Sequence, residues 1–188
     1  MNDFNLNPVI VIDLLKPSGN FLTGPIVLKS NVNLHLEEGS NVLFSTNPDD
    51  YLPVVHTSYE GVELMNYSPL IRAYKQKNIA ITGSGTLNGQ ASNEHWWPWA
   101  GKDIYGWKSG TPKQHDSINL PRLFILNENG TPVSERVFGN GHLLRPNFIE
   151  PFECTNVLIQ GVKIVNAPFW VVHPFKCNNV IVDGITIE

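Results

Sequence analysis

The sequence is poor in charged residues, cysteines and long apolar runs, and each shortage excludes a class of protein. Thirteen Lys and Arg against 17 Asp and Glu give a formal charge of −4, which does not favour a cationic surface for nucleic acid. The apolar runs span only a few residues, far short of the roughly 20 needed to cross a bilayer. Two cysteines cannot make a disulfide framework. Residues 1–4 carry no basic region, so no secretory signal peptide is predicted.

A long helical pattern is also missing, and short strands take its place. Nothing longer than a turn or two follows the 3.6-residue period of a helix. Instead, 15 Gly and 14 Pro separate short runs rich in β-branched residues. This pattern predicts an all-β architecture.

The carboxyl-terminal part of the chain contains a repeat of 23 residues. Residues 151–165 are copied at 174–188, and seven of the 15 aligned positions are identical. Weaker copies of the same phrase occur at 78–87 and 33–44. A repeat of this length gives one closed turn of three short strands, which cannot bury its own apolar residues unless such turns stack about 4.8 Å apart.

The repeat therefore predicts a parallel β-helix, in which like residues stack in files along the solenoid. The predicted files pair Cys154 with Cys177, Asn156 with Asn179, and Phe152 with Phe175. Stacked asparagines can form an amide ladder, so Asn at a turn needs no catalytic explanation. A β-sandwich with coincidental similarity is the alternative, and a leucine-rich-repeat solenoid fits less well because no helix follows each strand.

We predict one partial β-helix domain over residues 1–188, divided into four parts. These are an atypical start at 1–20, first coils at 21–88, a Trp-rich excursion at 89–145 and two 23-residue coils at 146–188. Four of the five tryptophans lie within 12 residues of the excursion, from 96 to 107. Because aromatic faces stack on sugars, Trp99 and Trp107 are candidate substrate-binding residues, whereas Trp96 and Trp97 are expected to pack the excursion onto the solenoid. Whether 114–127 forms a helix or a strand stays open.

Two polar residues near the resumed repeats are further candidates for substrate binding. His173 follows an apolar run and Arg145 precedes Pro146. An imidazole and a guanidinium on the face of a solenoid would suit an anionic sugar. A histidine beside an apolar run is more often a structural residue, and this alternative remains open.

No catalytic residue, metal site or cofactor is predicted from the remaining residues. The adjacent carboxylates at 37–38 and 49–50 point to opposite faces of an extended chain, and Asp183 occupies a surface position of the repeat. The histidines and cysteines show no metal-ligand spacing. The glycines at 83–89 lack the Lys-Ser/Thr of a phosphate-binding loop, and we interpret them as corners of the solenoid.

Several phrases, in order along residues 21–188, resemble the polygalacturonases of glycoside hydrolase family 28. They are 22–39, 83–90 followed by Trp96 and Trp97, 135–139, 144–149, and 166–170 with His173. The resemblance implies a right-handed parallel β-helix of the pectin-lyase-like kind and inverting hydrolysis of α-linked galacturonan. In such hydrolysis an acid and a base lie about 6.5–9.5 Å apart. The resemblance also makes Trp170 a candidate substrate-binding residue and implies a secreted or periplasmic parent protein.

The family's catalytic signatures do not occur in these 188 residues. Asn-Thr-Asp, Gly-Asp-Asp, Gly-His-Gly and Arg-x-Lys are all missing, and the family's first catalytic Asp comes shortly after the phrase that ends here at Glu188. We therefore expect the amino-terminal part of a polygalacturonase-like hydrolase that is inactive alone, with a galacturonan-type polysaccharide as its partner and neither nucleic acid nor membrane. The alternatives are a non-catalytic carbohydrate-binding module and a structural β-helix.

Overall fold

Short strands that alternate inward apolar and outward polar residues build the molecule. The computed structural model describes residues 10–13 and 19–188, so most of the predicted atypical start at 1–20 lies outside it. The strands are β1 (Ile10–Asp13), β2 (Gly19–Thr23), β3 (Ile26–Val27), β4 (Val32–Leu36), β5 (Ser40–Phe44), β6 (Val55–Tyr59), β7 (Val62–Asn66), β8 (Ile71–Tyr74), β9 (Lys77–Gly83), β10 (Thr86–Asn88), β11 (Ile149–Phe152), β12 (Thr155–Gln160), β13 (Lys163–Val165), β14 (Asn178–Asp183) and β15 (Thr186–Ile187). One α-helix, α1 (Leu120–Glu128), and 3-10 turns at Pro48–Tyr51, Trp97–Ala100, Asp103–Tyr105 and Val133–Glu135 complete the described elements.

Three parallel sheets wind around a common core. The first sheet has the order β1-β4-β9-β12-β14, the second β2-β5-β10-β13-β15 and the third β3-β8-β11. The first three turns of the chain each supply one strand to each sheet in sequence, and the turn that follows β13 meets the third sheet through isolated bridges at Val172 and Phe175. A parallel neighbour can be reached only after a full circuit. The predicted parallel β-helix is thereby confirmed.

The register of the last two coils follows the 23-residue repeat. Thr155 pairs with Asn178 and Val157 with Val180 across β12 and β14, and a bridge joins Phe152 to Phe175. Cys154 lies between these pairs, so it occupies the position on its coil that Cys177 occupies on the next.

A ladder of four asparagines runs along one corner of the solenoid. Asn179 donates to Asn156 at 2.8 Å, Asn156 donates to Asn78 at 2.9 Å and Asn78 donates to Asn31 at 3.0 Å, each through Nδ2 to Oδ1. All four residues adopt the left-handed conformation, with φ between 55° and 64°. Asparagine suits this corner because it tolerates that conformation and stacks through its amide.

The core consists of apolar files that extend from coil to coil. Leu34 pairs with Ile81, which pairs with Ile159 on the other side, and all three are buried. A second, smaller core lies outside the solenoid and comprises Tyr59, Leu64, Leu120, Leu123, Phe138 and Leu144.

The second core belongs to two excursions that leave the solenoid at the same corner. The first carries the antiparallel hairpin β6–β7 between β5 and β8, which the sequence analysis did not predict. The second runs between β10 and β11 and contains α1, which resolves the open question over 114–127 in favour of a helix. Both connect the second sheet to the third, so they stack on neighbouring coils. None of the helices in the described part of the chain is long and apolar enough to span a membrane.

Candidate functional site

A cavity of about 480 Å³ opens where three successive connections from the second sheet to the third lie side by side. The hairpin contributes Glu60, the long excursion contributes most of the wall, and the short connection after β13 contributes the segment from Ala167 to Trp170. The polar lining residues are Glu60, Lys102, Gln114, His115 and Arg145, and the aromatic ones are Trp97, Tyr105, Phe169 and Trp170. The cavity thus combines aromatic faces with an excess of cationic over anionic side chains.

Arg145 is held at the back of this cavity by neutral partners. Its Nη1 donates to the carbonyl oxygen of Pro168 at 3.0 Å, and its Nη2 donates to Oε1 of Gln114 at 3.1 Å. The guanidinium lies 4.8 Å from the ring centroid of Phe169, and the ring of Tyr59 stacks on that of Phe169 with 4.5 Å between the centroids. A guanidinium has five N–H donors, so one N–H on each of Nη1 and Nη2 remains for a ligand, whereas Nε is buried without a partner within residues 10–13 and 19–188.

The electrostatics of this wall favour an anionic ligand. Burial raises the pKa of Tyr59 to about 12, although Arg145 lowers it in part, so this phenol is neutral at ordinary pH. Burial also lowers the pKa of Arg145, yet a guanidinium keeps its charge in proteins. No carboxylate within salt-bridge distance neutralises Arg145 among the described residues. A carboxylate entering the cavity would therefore meet a guanidinium that has no carboxylate partner in direct contact among these residues, although Glu60 of the same cavity acts on it at longer range.

Two tryptophans of the excursion are structural, whereas Trp170 of the short connection after β13 is exposed. Trp96 is 3% exposed and packs edge-on against Tyr51, and Trp97 donates through Nε1 to the carbonyl oxygen of Ala167 at 2.9 Å. Both contacts fasten the excursion to the solenoid. Trp170, by contrast, is 50% exposed and lines the cavity.

The other candidate residues lie beside the cavity or on a different surface. The ring of His173 lies 6.5 Å from that of Trp170 at an interplanar angle of 22°, but His173 does not line the cavity. Trp99 borders a separate groove of about 330 Å³. Trp107 borders another of about 360 Å³, where Lys113 Nζ lies 4.6 Å from its ring centroid. The structure thus places Arg145 and Trp170 in one cavity and His173 beside Trp170, and it leaves Trp99 and Trp107 outside.

The most notable residue that the sequence analysis missed is Glu150. It is 1% exposed, and its Oε2 lies 3.4 Å from Nδ1 of His173. Its position is 23 residues before His173, so the repeat period could have predicted this contact. The carboxylates considered from the sequence, at 37–38, 49–50 and 183, are all exposed. In the described residues no cluster of three or more His, Cys, Asp or Glu could hold a metal ion.

Three proteins show what this chain is similar to. A hyperthermoactive exopolygalacturonase from Thermotoga maritima is 53% identical with a TM-score of 0.88, over 92% of this chain and 38% of its own. The exo-poly-alpha-D-galacturonosidase of Dickeya chrysanthemi is 27% identical over 121 residues, 60% of this chain and 17% of that protein. A family 28 exopolygalacturonase from Yersinia enterocolitica is 21% identical with a TM-score of 0.59, over 94% of this chain and 34% of its own. No family model matches the chain.

These matches first establish the class of protein. At its low identity, the Yersinia structure supports the fold alone, a parallel β-helix like that of the polygalacturonases. The Thermotoga and Dickeya matches then confirm the resemblance to polygalacturonases that the sequence predicted: the chain is homologous to part of an exopolygalacturonase and to part of an exo-poly-alpha-D-galacturonosidase. It spans well under half the length of either relative.

Proposed function

We propose that this chain is the galacturonan-binding part of an exo-acting family 28 hydrolase. The observation that carries the proposal is the 53% identity to the Thermotoga exopolygalacturonase over 92% of this chain. The whole protein would release galacturonate residues from α-linked galacturonan with inversion of configuration, through one carboxyl acting as acid and another as base.

Within this chain, the cavity at Arg145 and Trp170 is the proposed binding site. The remaining N–H groups of Arg145 meet the carboxylate of a uronic acid, and charge-assisted hydrogen bonds of this kind are among the stronger ones in proteins. The exposed face of Trp170 covers the apolar face of the sugar ring. Lys102 at the cavity wall adds a second positive charge. Galacturonan suits this lining better than a neutral polymer because every residue of the polymer carries a carboxylate.

The 188 residues by themselves bind the polymer without cleaving it. The adjacent carboxylates at 37–38 and 49–50 lie on exposed turns, and the family's catalytic signatures do not occur in this sequence. Glu150 is buried and held by neighbours, so it cannot protonate a glycosidic oxygen.

Calorimetric titration of the chain with trigalacturonate tests the proposal. Arg145→Gln is expected to weaken binding roughly ten- to a hundredfold, the equivalent of about 1.5–3 kcal/mol for a hydrogen bond to a charged group. Trp170→Ala is expected to weaken it about tenfold through the lost aromatic face. The control is Phe124→Ala, which removes another exposed aromatic ring on α1, outside the cavity lining.

Two outcomes would overturn the proposal. Equal affinity for trigalacturonate and for a neutral trisaccharide of galactose would show that Arg145 does not bind the carboxylate of the sugar. Release of reducing ends from polygalacturonate by the purified 188-residue chain would contradict binding without cleavage. Circular dichroism of each variant shows whether lost affinity reflects lost structure.

A further inference from the structure

A fully buried carboxylate lies beneath His173, and the proposed binding cavity does not use it. Glu150 belongs to β11, where its Cα partner on β8 is Arg72. The hairpin covers it, and Oγ1 of Thr57 donates to Oε1 of Glu150 at 2.6 Å. Removing a carboxylate from water is costly unless its oxygens accept hydrogen bonds. The second oxygen, Oε2, faces Asn147 and His173.

The protons around Oε2 can be counted, and the count fixes the state of the imidazole. Nδ2 of Asn147 has two protons and faces three acceptor atoms. One proton goes to the carbonyl oxygen of Ser58 at 3.1 Å and the other to Oε2 of Glu150. None is left for Nδ1 of His173, which lies 3.3 Å from the same nitrogen. Nδ1 must therefore carry its own proton and donate it to Oε2 of Glu150, 3.4 Å away.

The alternative orientation of the Asn147 amide would leave more acceptor atoms without a hydrogen bond. It would point Oδ1 at the Ser58 carbonyl and at the Glu150 carboxylate, and three acceptors would face one another without a proton. The orientation with Nδ2 towards these oxygens is the one that their hydrogen-bonding needs require.

Two aromatic rings hold the imidazole plane. The ring centroid of Trp170 lies 6.5 Å from that of His173, with an angle of 22° between the planes. The ring centroid of Phe175 lies 6.0 Å from that of His173, with an angle of 14°. The side chain of His173 is 18% exposed. Since Nδ1 is bound to Glu150 and the plane is held, the ring atom left for a ligand is Nε2, which makes no hydrogen bond to the part of the chain that the structure describes.

We propose that Glu150 is a positioning residue: it fixes the Nδ1–H tautomer of His173 and so presents Nε2 to a uronide bound beside Trp170. In the neutral ring Nε2 has a lone pair, so it would accept a hydrogen bond from a sugar hydroxyl. The identity of the ligand rests on the proposed function, whereas the tautomer does not. Thr57 and Asn147 support the arrangement by holding the two carboxylate oxygens.

The chain contains an internal reference for this state. His56 also meets a carboxylate, but through the other nitrogen: its Nε2 lies 2.9 Å from Oε2 of Glu63, and its Nδ1 lies 3.3 Å from the hydroxyl of Tyr74. The two histidines are therefore expected to adopt opposite tautomers in one molecule.

Nitrogen-15 NMR of the labelled chain, at a pH where both rings are neutral, tests the proposal. His173 should show a protonated Nδ1 and an unprotonated Nε2, and His56 the reverse. Glu150→Gln should convert His173 to a mixture of tautomers and weaken trigalacturonate binding about tenfold, while Glu63→Gln should alter His56 alone. A protonated Nε2 on neutral His173 in the unaltered chain overturns the proposal, as does a Glu150→Gln spectrum and affinity identical to those of the parent.

The experiment separates this inference from the proposed function. If the unaltered chain shows the expected tautomer but does not bind trigalacturonate, the proposed function fails and the positioning of His173 stands. If Glu150→Gln does not fold, the spectrum of the unaltered chain still decides the tautomer.

Discussion

Removing one rung of the asparagine ladder is expected to destabilise the solenoid by an amount that depends on the rung's place. Asn156 is an internal rung, since its amide donates to Asn78 and accepts from Asn179. Asn179 is the last rung described and makes only the single bond to Asn156. Their backbone φ angles are 58° and 59°, so the two sites differ in ladder bonds and not in local conformation.

The magnitude follows from these contacts. A hydrogen bond contributes about 1 kcal/mol net, and placing alanine in the left-handed region costs roughly 1–2 kcal/mol. Asn156→Ala is therefore expected to lower the free energy of unfolding by about 3–4 kcal/mol. Asn156→Gly avoids the left-handed strain and should cost less than the alanine variant. Asn179→Gly, with one bond lost instead of two, should cost about 1 kcal/mol less than Asn156→Gly.

Urea denaturation followed by circular dichroism measures all three variants against the parent chain. The informative quantity is the difference in the free energy of unfolding between Asn156→Gly and Asn179→Gly. Glycine tolerates the left-handed φ equally well at both positions, so this difference reports the lost ladder bonds. Equal losses at the two positions would refute the idea that amide bonds between coils stabilise this corner. A loss at Asn179 larger than at Asn156 would do the same.

Two further predictions concern the close approach of coils and the buried phenols. In the same assay, Gly161→Ala should lower the free energy of unfolding by about 1–3 kcal/mol more than Gly110→Ala does. Both glycines have a positive φ, but only at Gly161 would a Cβ lie 2.5 Å from a backbone atom, the carbonyl oxygen of Gly83. Equal losses for the two variants would contradict this close approach of the coils. Burial raises the pKa of Tyr59 and of Tyr67 from 10.0 to about 12. The neutral phenols therefore stabilise the fold fully below pH 10, and this contribution is lost as the pH rises towards about 12. Absorbance titration should show phenols that ionise only near pH 12 or on unfolding, and ionisation of all tyrosines near pH 10 in the folded chain would contradict the burial.

The repeat made the solenoid predictable, because stacking forces like residues into register. The pairing of Thr155 with Asn178 and the bridge from Phe152 to Phe175 follow directly from the offset of 23. The same offset also places Glu150 beneath His173, so the repeat carried a signal for this contact.

The excursions were less predictable because they carry no repeat. The hairpin turns at Glu60 and Gly61, whose φ values are 49° and 81°, and alternating residues on either side are a signal that could have revealed it. The cavity itself joins three connections far apart in sequence, so Glu60, Lys102 and Trp170 become neighbours only through the stacking of their coils. No spacing within one segment could predict that.

Oxidation of the two cysteines tests the central geometric claim, that in the last two coils each residue lies over the residue 23 positions later. Coils stack about 4.8 Å apart, within the roughly 4.4–6.8 Å between Cα atoms that a disulfide spans. The neighbouring thiol of Cys177 lowers the pKa of Cys154, which favours the thiolate that the reaction needs. Treatment with diamide at mildly alkaline pH, which oxidises both thiols as diamide takes up their two hydrogens, is expected to give one intramolecular disulfide that peptide mapping assigns to Cys154 and Cys177. Two thiols that stay reactive in the folded monomer, or disulfides formed only between molecules, would contradict the stacking of these coils.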